Sequence, residues 1–141
     1  MEKWKIFAIL SMLFAGITSV IAKLGMKNLH SDVALSIRTI FVFLIITANA
    51  FILNDAFTEI KQAPKSNFIF LTLSGITTSL SWIFYYRAMK EGEVSYVASI
   101  DKASIVVTLV LSFLILKEPV TAKVLAGAAF ILAGMLILIW K

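Results

Sequence analysis

The sequence is built of long apolar blocks separated by short polar breaks. Five blocks approach the roughly 20 residues a helix needs to cross a hydrocarbon core of about 30 Å: Trp4 to Leu24, Val33 to Leu53, Phe68 to Met89, Ser95 to Leu116 and Val120 to Trp140. The pattern predicts an all-α integral membrane bundle of five transmembrane helices, a single domain over residues 1–141. The breaks carry the matching chemistry. Asn28 to Asp32 joins the first two blocks, with Ser31 or Asp32 placed to cap the second helix. Asn54 to Asn67 is polar and charged, Lys90 to Val94 turns through Gly92, and Lys117-Glu118-Pro119 ends on a proline that cannot continue a helical ladder. Trp4, Tyr85, Tyr86, Tyr96 and Trp140 fall near block ends, where aromatic belts form.

The first block admits a second reading as a signal peptide, with Lys3 and Lys5 before it and Val20-Ile21-Ala22 as a small-residue cleavage site. Its apolar run from Ile6 to Ala22 is 17 residues, longer than the about 7–15 of a signal core. The block is therefore read as a retained span.

The fourth block is the unusual one, because it carries Asp101 and Lys102 side by side. A helix starting after Lys102 would keep only 14 residues to Leu116, about 21 Å, too short to cross. A full span starts near Ser95 and places Asp101 about 9 Å along it, at a depth where ionised groups usually mark a pathway or a site.

Composition agrees with a membrane protein: 60% of the 141 residues are hydrophobic and 15% charged, with a mean hydropathy of +0.97. The chain has no cysteine and one histidine, His30, which leaves no thiolate or His cluster for a metal or for covalent catalysis. No phosphate-binding glycine loop, H-E-x-x-H or nucleophile elbow is present, so no catalytic residue, metal or cofactor is expected. The formal charge of +5 is spread singly at block ends, which fits topology and not nucleic-acid binding.

That charge shows no bias across the membrane. With five spans, Lys3, Lys5, Lys61, Lys65, Lys117 and Lys123 fall on the N-terminal side. Lys23, Lys27, Arg38, Arg87, Lys90 and Lys141 fall on the other, with Lys102 assignable there too. Either a few strong loop charges set one orientation, or the chain inserts both ways. In the second case an odd-span unit pairs with its inverted copy and supplies the inverted repeat of many transporters.

The candidate site lies in the half of the membrane opposite the N-terminus. Lys23, Arg38, Arg87, Asp101 and Lys102 all belong there, with Asp101 the carboxylate among them. Lys23, Arg38 and Arg87 have a plain reading as cations that snorkel to the interface. Asp101, Ser104, Thr108 and Ser112 follow intervals of 3, 4 and 4, one face of the fourth helix. Ser74, Thr78, Ser81 and Tyr85 do the same on the third, and Arg38 and Asn49 share a face of the second. Small hydroxyl residues also serve close packing and back-bonding to the helix; together with buried charge, the three stripes point to a hydrated cavity. Small residues in the fifth block, including Ala126, Gly127, Ala133 and Gly134, make it the candidate dimer contact, with close packing inside the subunit the equal alternative.

The run from Trp82 to Thr121, WIFYYRAMKEGEVSYVASIDKASIVVTLVLSFLILKEPVT, resembles the five-helix unit of the EamA-type transporters in the drug/metabolite transporter superfamily. AKLGMK at Ala22 to Lys27 and SIRT at Ser36 to Thr39 extend the resemblance over nearly the whole chain. Many members have proline where Ser99 stands. Small multidrug resistance relatives use a glutamate in their first helix, whereas Ala15-Gly16-Ile17-Thr18 has no acid, which argues against their cationic-drug mechanism here. The resemblance implies half of a ten-helix arrangement.

The expectation is a secondary transporter half that dimerises, as an antiparallel homodimer or with a homologous partner half, in a prokaryotic inner membrane. It would move a small polar metabolite by alternating access. Asp101 is read as the proton-responsive or substrate-ammonium contact, with Lys102 and Arg38 as its ion partners or contacts for a substrate carboxylate. Lys23, Asn49, Ser81, Trp82, Tyr85, Ser104 and Thr108 complete the expected substrate- or ion-binding set. The alternative is a non-transporting membrane subunit in which Asp101, Lys102 and Arg38 form a structural ion pair.

Overall fold

A computed structural model describes residues 2–140, so Lys141, counted above among the basic residues, lies outside it. Among the described residues every element is helical. In chain order they are α1 (Lys3–Gly25), α2 (Ser31–Leu53), α3 (Ala56–Gln62), α4 (Lys65–Glu91), α5 (Val94–Asp101), α6 (Ser104–Leu111), a π-helical turn (Ser112–Leu116) and α7 (Ala122–Ile139). Five segments are long and apolar enough to cross a membrane: α1, α2, α4, the composite Val94–Leu116, and α7. The chain is an all-α integral membrane protein.

It divides into two compact units, one comprising Val20–Lys90 and the other the chain up to Ser19 together with Glu91 onward. In the Val20–Lys90 unit the tightest packing lies where the C-terminal ends of α1 and α4 meet the start of α2. Met26 and Met89 are fully enclosed there, with Leu35, Tyr86 and Ser31 buried beside them.

Two lysines hold this end together by exchange. Lys23, in the last turn of α1, donates from Nζ to the carbonyls of Met89 and, at 3.5 Å, Lys90. Lys90, in the last turn of α4, donates to the carbonyls of Met26 at 2.7 Å and Lys27 at 3.5 Å. The final carbonyls of a helix have no intrahelical donor and carry the negative end of its dipole, so a cation there satisfies both. Here Lys23 serves the end of α4, and Lys90 serves the turn just past α1, where the Met26 carbonyl also accepts from Leu29 N–H at 3.2 Å.

The long polar break contains the short helix α3, which the sequence pattern did not separate from its surroundings. Phe57 meets Phe51 of α2 edge to face, with ring centres 4.9 Å apart. Pro64 stands immediately before α4, where its missing N–H removes no helical bond.

In the other unit α5 packs against α7, and Ala128 is the buried residue of α7. Val124 N–H donates to the Thr121 hydroxyl at 3.3 Å and caps α7. The fourth span is not one continuous helix. After Asp101 the bonds tighten to three-residue spacing, from Lys102 N–H to Ser99, Ala103 to Ile100, Ile105 to Lys102 and Val106 to Ala103. Lys102 and Ala103 have ψ of −15° and −16° accordingly. Ser99 bonds its hydroxyl back to the Ser95 carbonyl at 2.7 Å, a contact that bends helices. The span then widens into the π turn and stops at Lys117, whose φ of 55° is left-handed.

The exchanged lysine caps generate a prediction. Lys23→Met and Lys90→Met each lower unfolding free energy by about 1.5–3 kcal/mol, the worth of a charge-assisted hydrogen bond. Thermal unfolding in detergent measures it, and wild-type midpoints for both variants would show that the caps carry no stability.

Candidate functional site

Two helices of the Val20–Lys90 unit, α2 and α4, frame a groove of about 620 Å³, within the range of small-molecule sites. α2 contributes Asp32, Leu35, Ser36, Thr39, Ile40 and Phe43, which recur every three to four residues and so share a face. α4 contributes Ser79, Trp82 and Ile83. Most of this lining is apolar.

The hydroxyls of the groove are already committed as donors. Ser36 donates to the Asp32 carbonyl, Thr39 to the Leu35 carbonyl and Ser79 to the Gly75 carbonyl, each at 2.8 Å. A hydroxyl that donates to its own helix keeps its oxygen lone pairs. These three residues therefore line the groove as acceptors.

An ion pair joins the two helices where Asp32 lines the groove. Arg87 Nε donates to Asp32 Oδ1 at 3.1 Å and Nη2 to Oδ2 at 2.8 Å, the planar two-point geometry a guanidinium forms with a carboxylate. Ser31 Oγ adds a donor to Oδ1 at 3.3 Å. Arg38, also on α2, takes a different kind of partner. Its guanidinium carbon lies 4.5 Å from the centre of the Trp82 ring and 5.6 Å from that of Tyr86. Tyr86 is 3% exposed, and its hydroxyl has no partner among the described residues.

Of the residues expected from sequence, Arg38 and Trp82 are brought together directly. Lys23 belongs to the helix-end exchange described above. Asn49 is exposed on α2, Ser81 is exposed and Tyr85 half-buried on α4, and none of the three lines the groove. The α4 face that does so, Ser79, Trp82 and Ile83, is the neighbour of the Ser74-Thr78-Ser81-Tyr85 stripe. In the other unit Lys102 Nζ reaches Asp101 Oδ2 at 3.3 Å. Asp101 is half-buried there, while Ser104 and Thr108 are exposed.

Asp32 and Arg87 were missed as a pair. Ser31 or Asp32 was expected to cap α2, but the N-cap is His30, without a side-chain bond, and Ser31 is the first helical residue. Placing the start of the span at Val33 left Asp32 in a loop and Arg87 without an acid. The available signal was their depth, since both stand at the same end of antiparallel helices.

Residues 2–140 match the EamA-like transporter family. A relative from Sinorhizobium sp., named as an uncharacterized transporter in the cobO 3' region, is 37% identical over 137 residues, which is 97% of this chain and 96% of that protein. No solved structure matches the chain.

The interhelix pair gives a reciprocal test. Asp32→Arg and Arg87→Asp singly place like charges together and lower the thermal midpoint, while the double exchange, with the pair reversed, recovers most of the loss. Equal destabilisation by the double variant and the worse single variant would show that the pair does not join α2 to α4.

Proposed function

This chain belongs to the EamA-like transporter family, and we propose that it works as a five-span half-unit that dimerises to move a small polar metabolite by alternating access. The observation that carries this reading is the groove between α2 and α4, of a size for a small solute, apolar along most of its wall and edged by acceptor oxygens. A solute of mixed polarity is matched by such a lining. The Sinorhizobium relative, covered over 96% of its length, carries a transporter's name, which supports function in a chain of this extent.

Pairing supplies the second half. Five spans and a balanced distribution of Lys and Arg suit an antiparallel homodimer or a homologous partner inserted the other way. The small-residue face of α7 supports it as the contact, since Gly127 and Gly134 meet no close neighbour among the described residues of their own unit. A prokaryotic inner membrane is the proposed location. In the fourth span Asp101, held by Lys102 at a break in the helix, is the proposed proton- or substrate-responsive group, because a broken span exposes backbone and charge at the depth where transporters bind their cargo.

Proteoliposomes holding only this protein carry a solute flux, and reporters fused to the C-terminus are found on both faces of the membrane. Asp101→Asn slows the flux about tenfold, equivalent to losing one charge-assisted contact of about 1.4 kcal/mol. Wild-type flux with unchanged pH dependence removes Asp101 from the site. A single orientation removes the inverted homodimer, and no flux across a broad solute panel removes the transport reading.

A further inference from the structure

Arg38 stands about two turns into a membrane-spanning helix. Among the described residues it meets no carboxylate and donates no hydrogen bond; its contacts are the faces of Trp82 and Tyr86. Stacking on aromatic rings steadies a guanidinium but leaves its N–H donors unmatched. At this depth an unmatched cation is costly. Beside it, the Tyr86 hydroxyl is an enclosed polar group with no partner, which is costly for the same reason. The guanidinium over the Tyr86 ring and the hydroxyl that ring carries therefore both lack an acceptor, and an oxyanion is the group that matches such donors.

The adjoining groove decides what that oxyanion is attached to. Trp82 belongs to both, forming part of the groove wall and the platform for Arg38. Ser36, Thr39 and Ser79 have spent their donors on backbone carbonyls, so the groove has acceptors to offer and no hydroxyl donor for an anion. An anionic group is therefore matched at Arg38 and Tyr86, and an apolar body along the groove. We infer that Arg38 and Tyr86 form a recognition site for the carboxylate of a small organic acid whose apolar body lies along Trp82. A guanidinium binds a planar carboxylate at two points, which a lysine cannot do. This rests on the transporter reading for its physiological meaning, but the site binds its ligand whether or not transport follows. A lipid headgroup phosphate offers the same oxyanion chemistry from a different source.

Trp82 provides the readout. In the full chain carrying Trp4→Phe and Trp140→Phe it is the remaining tryptophan of three, and a carboxylate that draws Arg38 from its ring changes its emission. The protein is placed in phosphatidylcholine nanodiscs and titrated with sodium butyrate, benzoate and 3-phenylpropionate, with the corresponding amides, and with inorganic phosphate. The expected result is a saturable change with the carboxylates, strongest for the aromatic acids, and none with the amides. Arg38→Gln weakens binding about tenfold or more, as expected for losing a charged hydrogen-bond partner. Arg38→Lys falls between, and Tyr86→Phe gives a smaller loss; far-UV circular dichroism verifies the fold of each. Equal responses to acids and amides, or wild-type affinity in Arg38→Lys, overturn the inference. So does a response to phosphatidylglycerol nanodiscs that carboxylates fail to displace, which assigns the site to lipid. Flux of the same acids in proteoliposomes separates the two claims: binding without flux keeps the site and removes transport, and flux of other solutes without acid binding does the reverse.

Discussion

Lipid supplies no hydrogen bonds, so every charge and every free carbonyl along these helices has to be matched by another part of the protein. The Val20–Lys90 unit is organised by that constraint. The carbonyls just past α1 and at the end of α4 are matched by lysines of α4 and α1, and the acid at the start of α2 by the arginine near the end of α4. These contacts join three helix ends around Met26 and Met89. The arrangement fixes which faces of α2 and α4 look at each other, and with them the groove. Large apolar side chains elsewhere on the spans are exposed, Phe130 by 80% and Ile52 by 78%, as lipid-facing surface would be. The polar end thus does the positioning that a buried apolar core does in a water-soluble bundle.

Within that frame the two arginines play different parts because their partners differ. Arg87 has a carboxylate at two-point distance and a serine supporting it, so its donors are engaged in joining helices. Among the described residues, Arg38 meets ring faces and no carboxylate. Aromatic stacking is electrostatic and keeps a cation from the lipid, yet it leaves the hydrogen-bonding capacity of the group unspent. A cation whose donors are engaged and one whose donors are free of protein acceptors can thus be told apart by what satisfies them.

The five spans were legible in the sequence because apolar length is a coarse signal that errors of one or two residues do not destroy. The observed spans begin and end within three residues of the expected ones. Site residues were less legible for the same reason turned round: a two-residue displacement at the start of α2 took Asp32 out of the helix and removed the partner of Arg87. Helical periodicity correctly grouped residues into faces, but two adjacent polar stripes of α4 are separated by only about 100°, and periodicity does not say which faces α2. Ser79 rather than Ser81 lines the groove for that reason. Arg38 and Trp82 were both singled out, although 44 positions apart in sequence, because charge and aromatic bulk inside a span are conspicuous whatever the packing.

The fourth span shows why its charged pair could not be read as an ordinary helical stripe. Spacings of 3, 4 and 4 place Asp101, Ser104, Thr108 and Ser112 on one face only if the helix is regular throughout. Tightening at Lys102 and Ala103 and widening from Ser112 change the angle between successive residues in opposite senses. The face is therefore continuous within α6 and offset at both of its ends. Asp101 sits at the first offset, and there its carboxylate is met by the neighbouring Lys102 instead of standing one regular turn above Ser104. A charge is thus carried into this span where the helix is already irregular, so the backbone can adjust around it without disturbing the straight segments on either side.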